Sequence, residues 1–260
     1  MITILTLIFF ILGLIIGSFL NVVILRLNTE KTFGGRSGCM SCKNQLVWYE
    51  LIPVFSFLGL RGRCRNCKAK ISIQYPIVEF LTGVIFAALF LKFQDIFFFS
   101  PTLVFSFTYA YYASVFSLLL VIAVYDLRHK IIPDILTLFL GIISFVGLFL
   151  FNGLGFYPHI PSLLELLSGL IIAAPFAFFW FVSRGTWMGL GDAKLAISLG
   201  WLLGLSRALS GIVVAFWVGA IIGLALVVFS RKHGMKTQIP FAPYLVLGTF
   251  LAFLFELHLF

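Results

Sequence analysis

The sequence predicts an all-α integral membrane protein with about eight transmembrane helices and one small zinc-binding cytosolic insertion after the first. Three observations lead there. Of 260 residues, 62% are hydrophobic and 10% charged, against about 45–50% and about 25% in soluble domains. The apolar residues come in runs close to the ~20 that a membrane-spanning helix needs. The one long polar stretch, 27–75, holds all four cysteines.

The first run, 2–25, carries no charge and has no basic residue before it and no small-residue cleavage site, so it reads as an anchor rather than a removed signal peptide. The second, 71–91, is broken only by Glu79, which is expected to snorkel or to pair with a base. Runs 96–125, 135–158 and 166–183 are uncharged, and a shorter run, 195–206, makes a sixth helix. Runs 208–230 and 237–255 complete the set. Small residues four apart, at Gly13/Gly17, Gly200/Gly204 and Gly219/Gly223, would let helices approach closely.

Basic residues set the orientation. With eight spans and the N-terminus outside, loops 27–75, 126–134, 183–192 and 231–238 are cytoplasmic. These loops and their flanks take every Lys and Arg except Lys92 and Arg207. The net charge of +9 then reflects orientation and attraction to anionic membrane lipid, not nucleic acid. Three parts follow: a first transmembrane helix over 1–26, a cytosolic four-cysteine module over 27–75, and a membrane domain over 76–260.

Cys39-x-x-Cys42 and Cys64-x-x-Cys67 stand 21 residues apart, the spacing of a four-thiolate zinc site. The other arrangements are two disulfides, which rarely persist in the reducing cytosol where the topology puts this loop, or four unrelated thiols. No His lies nearby to suggest an open coordination position, so the zinc is structural and holds a module too small for a sufficient core of its own.

Elimination narrows the chemistry. The cysteines are committed to the module. His129, His159, His233 and His258 form no His-Glu-x-x-His motif, and no Gly-x-Ser-x-Gly element marks a serine nucleophile. Among nine carboxylates, Asp95, Glu165 and Glu256 sit at outer helix ends, Glu30 and Glu50 belong to the module, and Glu79 is taken as structural. Asp134, after Pro133, has the position and residue type of a helix N-cap. Asp126 ends a long uncharged run, on the last turn of the third helix. Asp192 lies in Met188-Gly-Leu-Gly-Asp-Ala-Lys194 at the start of the sixth, with Gly189, Gly191 and Lys194 as supporting residues. The ordinary alternatives are a cap for Asp192 and an ion pair with Arg128 or Lys130 for Asp126. A carboxylate at membrane depth costs roughly 2.5–3.5 kcal/mol on insertion scales, which marks such residues as functional candidates. Two of them at one depth can share a proton, acting as general acid and general base for water attack on a peptide bond. That is aspartyl-protease chemistry and needs no cofactor.

Five segments resemble one family in the right order. They are Gly17-Ser-Phe-Leu-Asn-Val-Val-Ile-Leu-Arg-Leu27, the stretch from Glu50-Leu-Ile-Pro-Val to Leu60-Arg-Gly-Arg-Cys64, Tyr75-Pro-Ile-Val-Glu79, Asp126-Leu-Arg-His-Lys-Ile-Ile-Pro-Asp134 and Gly189-Leu-Gly-Asp-Ala-Lys-Leu195. Together they resemble the type IV prepilin peptidases, and the last is also similar to the Gly-x-Gly-Asp signature of presenilin-like intramembrane proteases. The resemblance implies an enzyme of the bacterial cytoplasmic (inner) membrane that serves type IV pili and protein secretion. Such an enzyme cuts the short basic leader from prepilins and pseudopilins on the cytoplasmic side. Family members with the cysteine module also N-methylate the new terminus with S-adenosylmethionine, and Glu50, Arg61 and Gly62 are the expected region of that activity. Three other readings stand beside it. They are a peptidase without methylation, a proton-coupled transporter with symmetric halves, and a non-catalytic scaffold in which both aspartates tolerate Asn.

Overall fold

Helix α1 (Ile2–Arg26) and helix α3 (Gln74–Lys92) lie backbone to backbone because two glycines remove the side chains that would hold them apart. In the computed structural model, a Cβ on Gly13 would fall 2.6 Å from the Thr82 carbonyl oxygen, and one on Gly17 would fall 2.7 Å from the Glu79 Cα. Helix association in lipid depends on such close approach. The structure describes residues 1–29, 32, 34–152, 155–229 and 239–259. The expected loop 231–238, with Arg231, Lys232, Lys236 and the start of the expected last helix, lies outside the described residues, as do Glu30 and Lys31. The chain divides into two compact units, Met1–Gln94 and Asp95–Phe260.

In the first unit the polar module runs between α1 and α3. It contains isolated β-bridges at Gly38–Gln45 and Arg63–Lys70, a 3-10 turn over Trp48–Leu51 and a short helix α2 (Phe55–Gly59). Asn21, buried in α1, donates to the carbonyls of Gly17 at 3.3 Å and Tyr75 at 3.1 Å, tying the two long helices at one end. Glu79 corrects an expectation. Its carboxylate is buried and accepts from the Val54 amide at 2.8 Å and from the Ser18 hydroxyl, so it neither snorkels nor meets a base there. A buried carboxylate needs such donors, and here a module amide and an α1 hydroxyl supply them.

The second unit is built around α8 (Leu190–Phe229), which packs against α6 (Asp134–Leu150), α7 (Leu163–Ser183) and α9 (Ala242–Leu254). Helix α5 (Thr102–His129) packs on α9 and α6. Glycines again set the crossings. A Cβ on Gly200 of α8 would lie 2.7 Å from the Gly169 Cα of α7, and a methyl on Gly248 of α9 would overlap the Gly211 carbonyl of α8. Gly204 departs from the packing role read from the sequence. Its φ of 74° and ψ of 172° break α8, with open space beside it, where the sequence separates a sixth from a seventh helix. Two other runs are shorter than expected. The run from Ile96 is cut at Pro101, leaving α4 (Gln94–Phe99) before α5. Helix α6 stops at Leu150, and β1 (Phe151–Asn152) pairs antiparallel with β2 (Gly155–Phe156).

Among the described residues, five helices are long and apolar enough to cross a membrane: α1, α3, α5, α7 and α8 through Leu226; α6 and α9 are shorter apolar helices. The crossings yield a stability test. Gly200→Val should destabilise the protein by about 1–3 kcal/mol, read as a lower thermal midpoint in detergent. Gly59→Ala, where nothing lies within 4 Å of the new methyl, should leave the midpoint unchanged. An unaltered midpoint for Gly200→Val would mean that α7 and α8 do not touch at this glycine.

Candidate active site and cysteine centre

Asp126 and Asp192 arrive from different helices and meet. Asp126 sits on the last turn of α5, four residues before Lys130 ends the helix in a left-handed conformation, with its N–H on the Asp126 carbonyl at 2.7 Å. Asp192 sits in the first turn of α8. The side chains are 5% and 7% exposed, and the two carboxyls interact electrostatically. Such a pair is stable only when fixed dipoles replace lost water. Here backbone amides do so. The Ala242 N–H at the start of α9 donates to Asp126 Oδ2 at 3.2 Å, and the Gly189 N–H donates to the Asp192 carboxylate. Asp192 Oδ1 is buried and has no hydrogen-bond partner among the described residues.

The supporting residues act in separable ways. Gly191 is a steric requirement, since a Cβ there would lie 2.9 Å from the Ile132 Cβ. The loop after α5 therefore rests directly on the turn that opens α8, and this contact holds the two aspartate segments together. Gly189 has ordinary room, with its built Cβ 3.5 Å from Asp192 Oδ2, so its part is the backbone donor rather than space. Lys194 turns away from the dyad and pairs with Asp134 Oδ1 at 2.7 Å, both ends substantially exposed. This corrects the expected N-cap. Asp134 is the first residue of α6, Pro133 occupies the cap position, and the side chain makes no capping bond. Ala242 was not legible as a site residue, because its role is played by a backbone amide of a helix distant in sequence. The available signal was Pro243, which marks a helix start.

The four cysteines also come together, each pair in the same hairpin. Cys39 N–H bonds to the Asn44 carbonyl and Lys43 N–H returns to the Cys39 carbonyl, both at 2.9 Å. Cys64 N–H bonds to Ala69 at 2.8 Å and Lys68 N–H returns to Cys64 at 3.0 Å. Lys43 and Lys68 both take positive φ, 57° and 59°. The four sulfurs lie within 4.8 Å of one another, and Cys39 Sγ stands 3.7 Å from Cys67 Sγ. A tetrahedron of thiolates ~2.3 Å from a zinc ion has edges of about 3.8 Å, so the cluster fits that metal. The Cys42 and Ser41 amides hold the Cys39 thiol down at about 6. Cys67, although the Ala69 amide favours its thiolate, is pushed up to about 11 by desolvation and by the sulfurs beside it. A central cation would relieve that repulsion. Beside the cluster lies a cavity of about 340 Å³ lined by Asn44, Val47, Tyr49, Glu50 and Arg65, among others. Of the three residues expected for methyl transfer, Glu50 lines it, while Arg61 and Gly62 do not. Gly62 instead takes a φ of 65° under the Phe57 ring.

Residues 11–93 match the model of the bacterial peptidase A24 N-terminal domain, and residues 113–228 match that of the type IV leader peptidase family. A Myxococcus xanthus protein named prepilin leader peptidase/N-methyltransferase is 34% identical over 88% of this chain, which spans 65% of that relative. Proteins of the same name from Xanthomonas campestris pv. campestris and Bacillus subtilis are each 32% identical, over 93% and 95% of this chain and 88% and 93% of their own lengths. No solved structure matches the chain significantly. With both family models matched in order and relatives aligned over nearly its whole length, the chain belongs to the type IV leader peptidase family.

Proposed function

We propose that the protein is a membrane aspartyl endopeptidase that removes the leader from type IV prepilins and pseudopilins, with Asp126 and Asp192 as its catalytic pair, and that it then N-methylates the new terminus. The observation that carries the reading is the meeting of two buried carboxyls from α5 and α8, with Asp192 Oδ1 left without a partner among the described residues. Like charges at close range favour one shared proton. The ionised member takes a proton from water as the water oxygen attacks the scissile carbonyl. The protonated member donates to the carbonyl oxygen to give a tetrahedral diol. As the C–N bond breaks, the proton taken from water passes to the departing amine nitrogen, and a diol hydroxyl gives its proton back to the other carboxylate, restoring the singly protonated pair. Ala242 and Gly189 amides keep the carboxylates oriented, and burial excludes competing solvent. Asp192 Oδ1 is the atom free to hold the attacking water.

The wider reading adds topology and cofactors. Eight crossings put the aspartates and the cysteine module on the cytoplasmic face, by the distribution of basic residues. Zinc on Cys39, Cys42, Cys64 and Cys67 holds the module as a structural ion. S-adenosylmethionine, when bound, supplies the methyl group. The polar cavity with Glu50 beside the cysteines supports a site for it there, and the names of the relatives support methylation itself.

Separate Asp126→Asn and Asp192→Asn variants, assayed in membranes against a prepilin carrying its leader, should each lose at least ~10²-fold in cleavage rate at normal protein levels. Asp134→Asn should keep most activity, since an exposed ion pair contributes only about 0–1 kcal/mol. Cleavage by Asp192→Asn at the wild-type rate would end the aspartyl reading. Mass measurement of the product terminus separates the two activities, because a peptidase without methylation leaves it one methyl group lighter. For the metal, elemental analysis of purified protein should find zinc bound to the wild-type chain and lost in Cys64→Ser. Metal-free wild-type protein with intact thiols would refute the zinc assignment.

A further inference from the structure

The module between the two cysteine hairpins exposes apolar side chains that a water-facing domain would hide. Trp48 is 77% exposed, Phe55 67% and Leu58 64%, with Tyr49, Leu51 and Ile52 at 40–42%. A single exposed apolar residue is ordinary, but a contiguous group on one short segment marks an interaction surface. The segment is also held at a definite level. The amide of Val54, at its middle, donates to Glu79 at 2.8 Å, and Glu79 lies a turn and a half (~7.5 Å) into α3. Val54 takes a φ of 61° to make that bond, a conformation that β-branched residues avoid. The strain is sustained because the buried Glu79 carboxylate needs the amide. The apolar segment thus lies beside the first turns of a helix that enters the membrane.

We propose that residues 48–58 form an interfacial membrane anchor, with Trp48, Leu51, Ile52, Phe55 and Leu58 in the boundary between lipid headgroups and acyl chains. The occupant is an anionic bilayer surface. Trp and Tyr have the amphipathic character that this boundary favours. Lys43, Arg61, Arg63, Arg65, Lys68 and Lys70 are all exposed on the same module, matching the charge of an acidic headgroup layer. The basic leader of a prepilin is repelled by those charges, which argues against the substrate as the occupant. The anchor rests on α3 being a membrane crossing and is independent of the catalytic assignment. It gives the Glu79–Val54 bond a purpose, because the bond sets how deep the segment sits.

The test is optical. Full-length protein is placed in nanodiscs of phosphatidylcholine alone or mixed with phosphatidylglycerol, each with and without brominated acyl chains. Subtracting the emission of Trp48→Phe from that of wild type isolates Trp48. The expected signal is blue-shifted, quenched more by bromines near the headgroup than by bromines deep in the chain, and poorly quenched by acrylamide. Quenching by bromolipid should be stronger with phosphatidylglycerol present. Glu79→Leu should release the segment and reduce that quenching, with α1 and α3 still helical by circular dichroism. A Trp48 signal that is red-shifted and open to acrylamide in both lipids would overturn the anchor. Shielding that appears only when prepilin is added would overturn it too, in favour of a protein partner. Peptidase inactivity would leave every one of these readings intact, so failure of the catalytic assignment is distinguishable from failure of the anchor.

Discussion

Polar groups that enter an apolar medium must find their partners inside the chain, and in this protein the partners are mostly backbone amides. Asp126 takes an N–H from Ala242, Asp192 from Gly189 and Glu79 from Val54. Asn21 uses its own donor on two carbonyls. Backbone donors carry no mobile charge and occupy little space, so they can satisfy a carboxylate where helices are tightly apposed. Asp192 Oδ1 departs from the pattern, as do Asn21 Oδ1, Gln74 Nε2 and Ser144 Oγ, each buried with no hydrogen-bond partner among the described residues. Of these four, the Asp192 oxygen alone belongs to a carboxyl that interacts with a second carboxyl.

Glycine is what permits that apposition. Gly13 and Gly17 seat α1 on α3, Gly169 and Gly200 join α7 to α8, and Gly211 and Gly248 join α8 to α9. Gly191 does the same for a loop against a helix start, so that the chain after Asp126 lies on the turn containing Asp192. The contact explains how the segments carrying two aspartates distant in sequence are held together. Asp134 and Lys194 bridge the same two elements on the exposed side, a weaker link outside the dyad.

The cysteine module solves a different problem with a different device. Too small to bury a core, it uses two copies of one hairpin, each with a positive-φ lysine after its second cysteine, to bring four sulfurs within a zinc ion's reach. Several of its apolar residues, Trp48, Phe55 and Leu58 among them, stay on the surface, and the fold ties their segment through Val54 to the first turns of α3.

Residue composition alone determined that this chain is a multi-helix membrane protein, because no water-soluble fold hides so much apolar surface. Spacing alone identified the four cysteines as one cluster, since a metal-binding hairpin is a local structure that two cysteines three apart specify. The type and depth of Asp126 and Asp192 singled them out as candidates, because a carboxylate at membrane depth is costly to keep. What only the tertiary structure decided involved partners far apart in sequence. Glu79 reads as a snorkelling charge until the module folds over it, and Asp134 reads as a cap until Lys194 reaches it from α8. Ala242 has no side-chain chemistry to read at all, and Gly204 looks like a packing glycine although it is a break. In each case the outcome depends on which backbone or side chain lies within about 3 Å in space, and hydrogen bonding is too short-ranged for sequence pattern to report it.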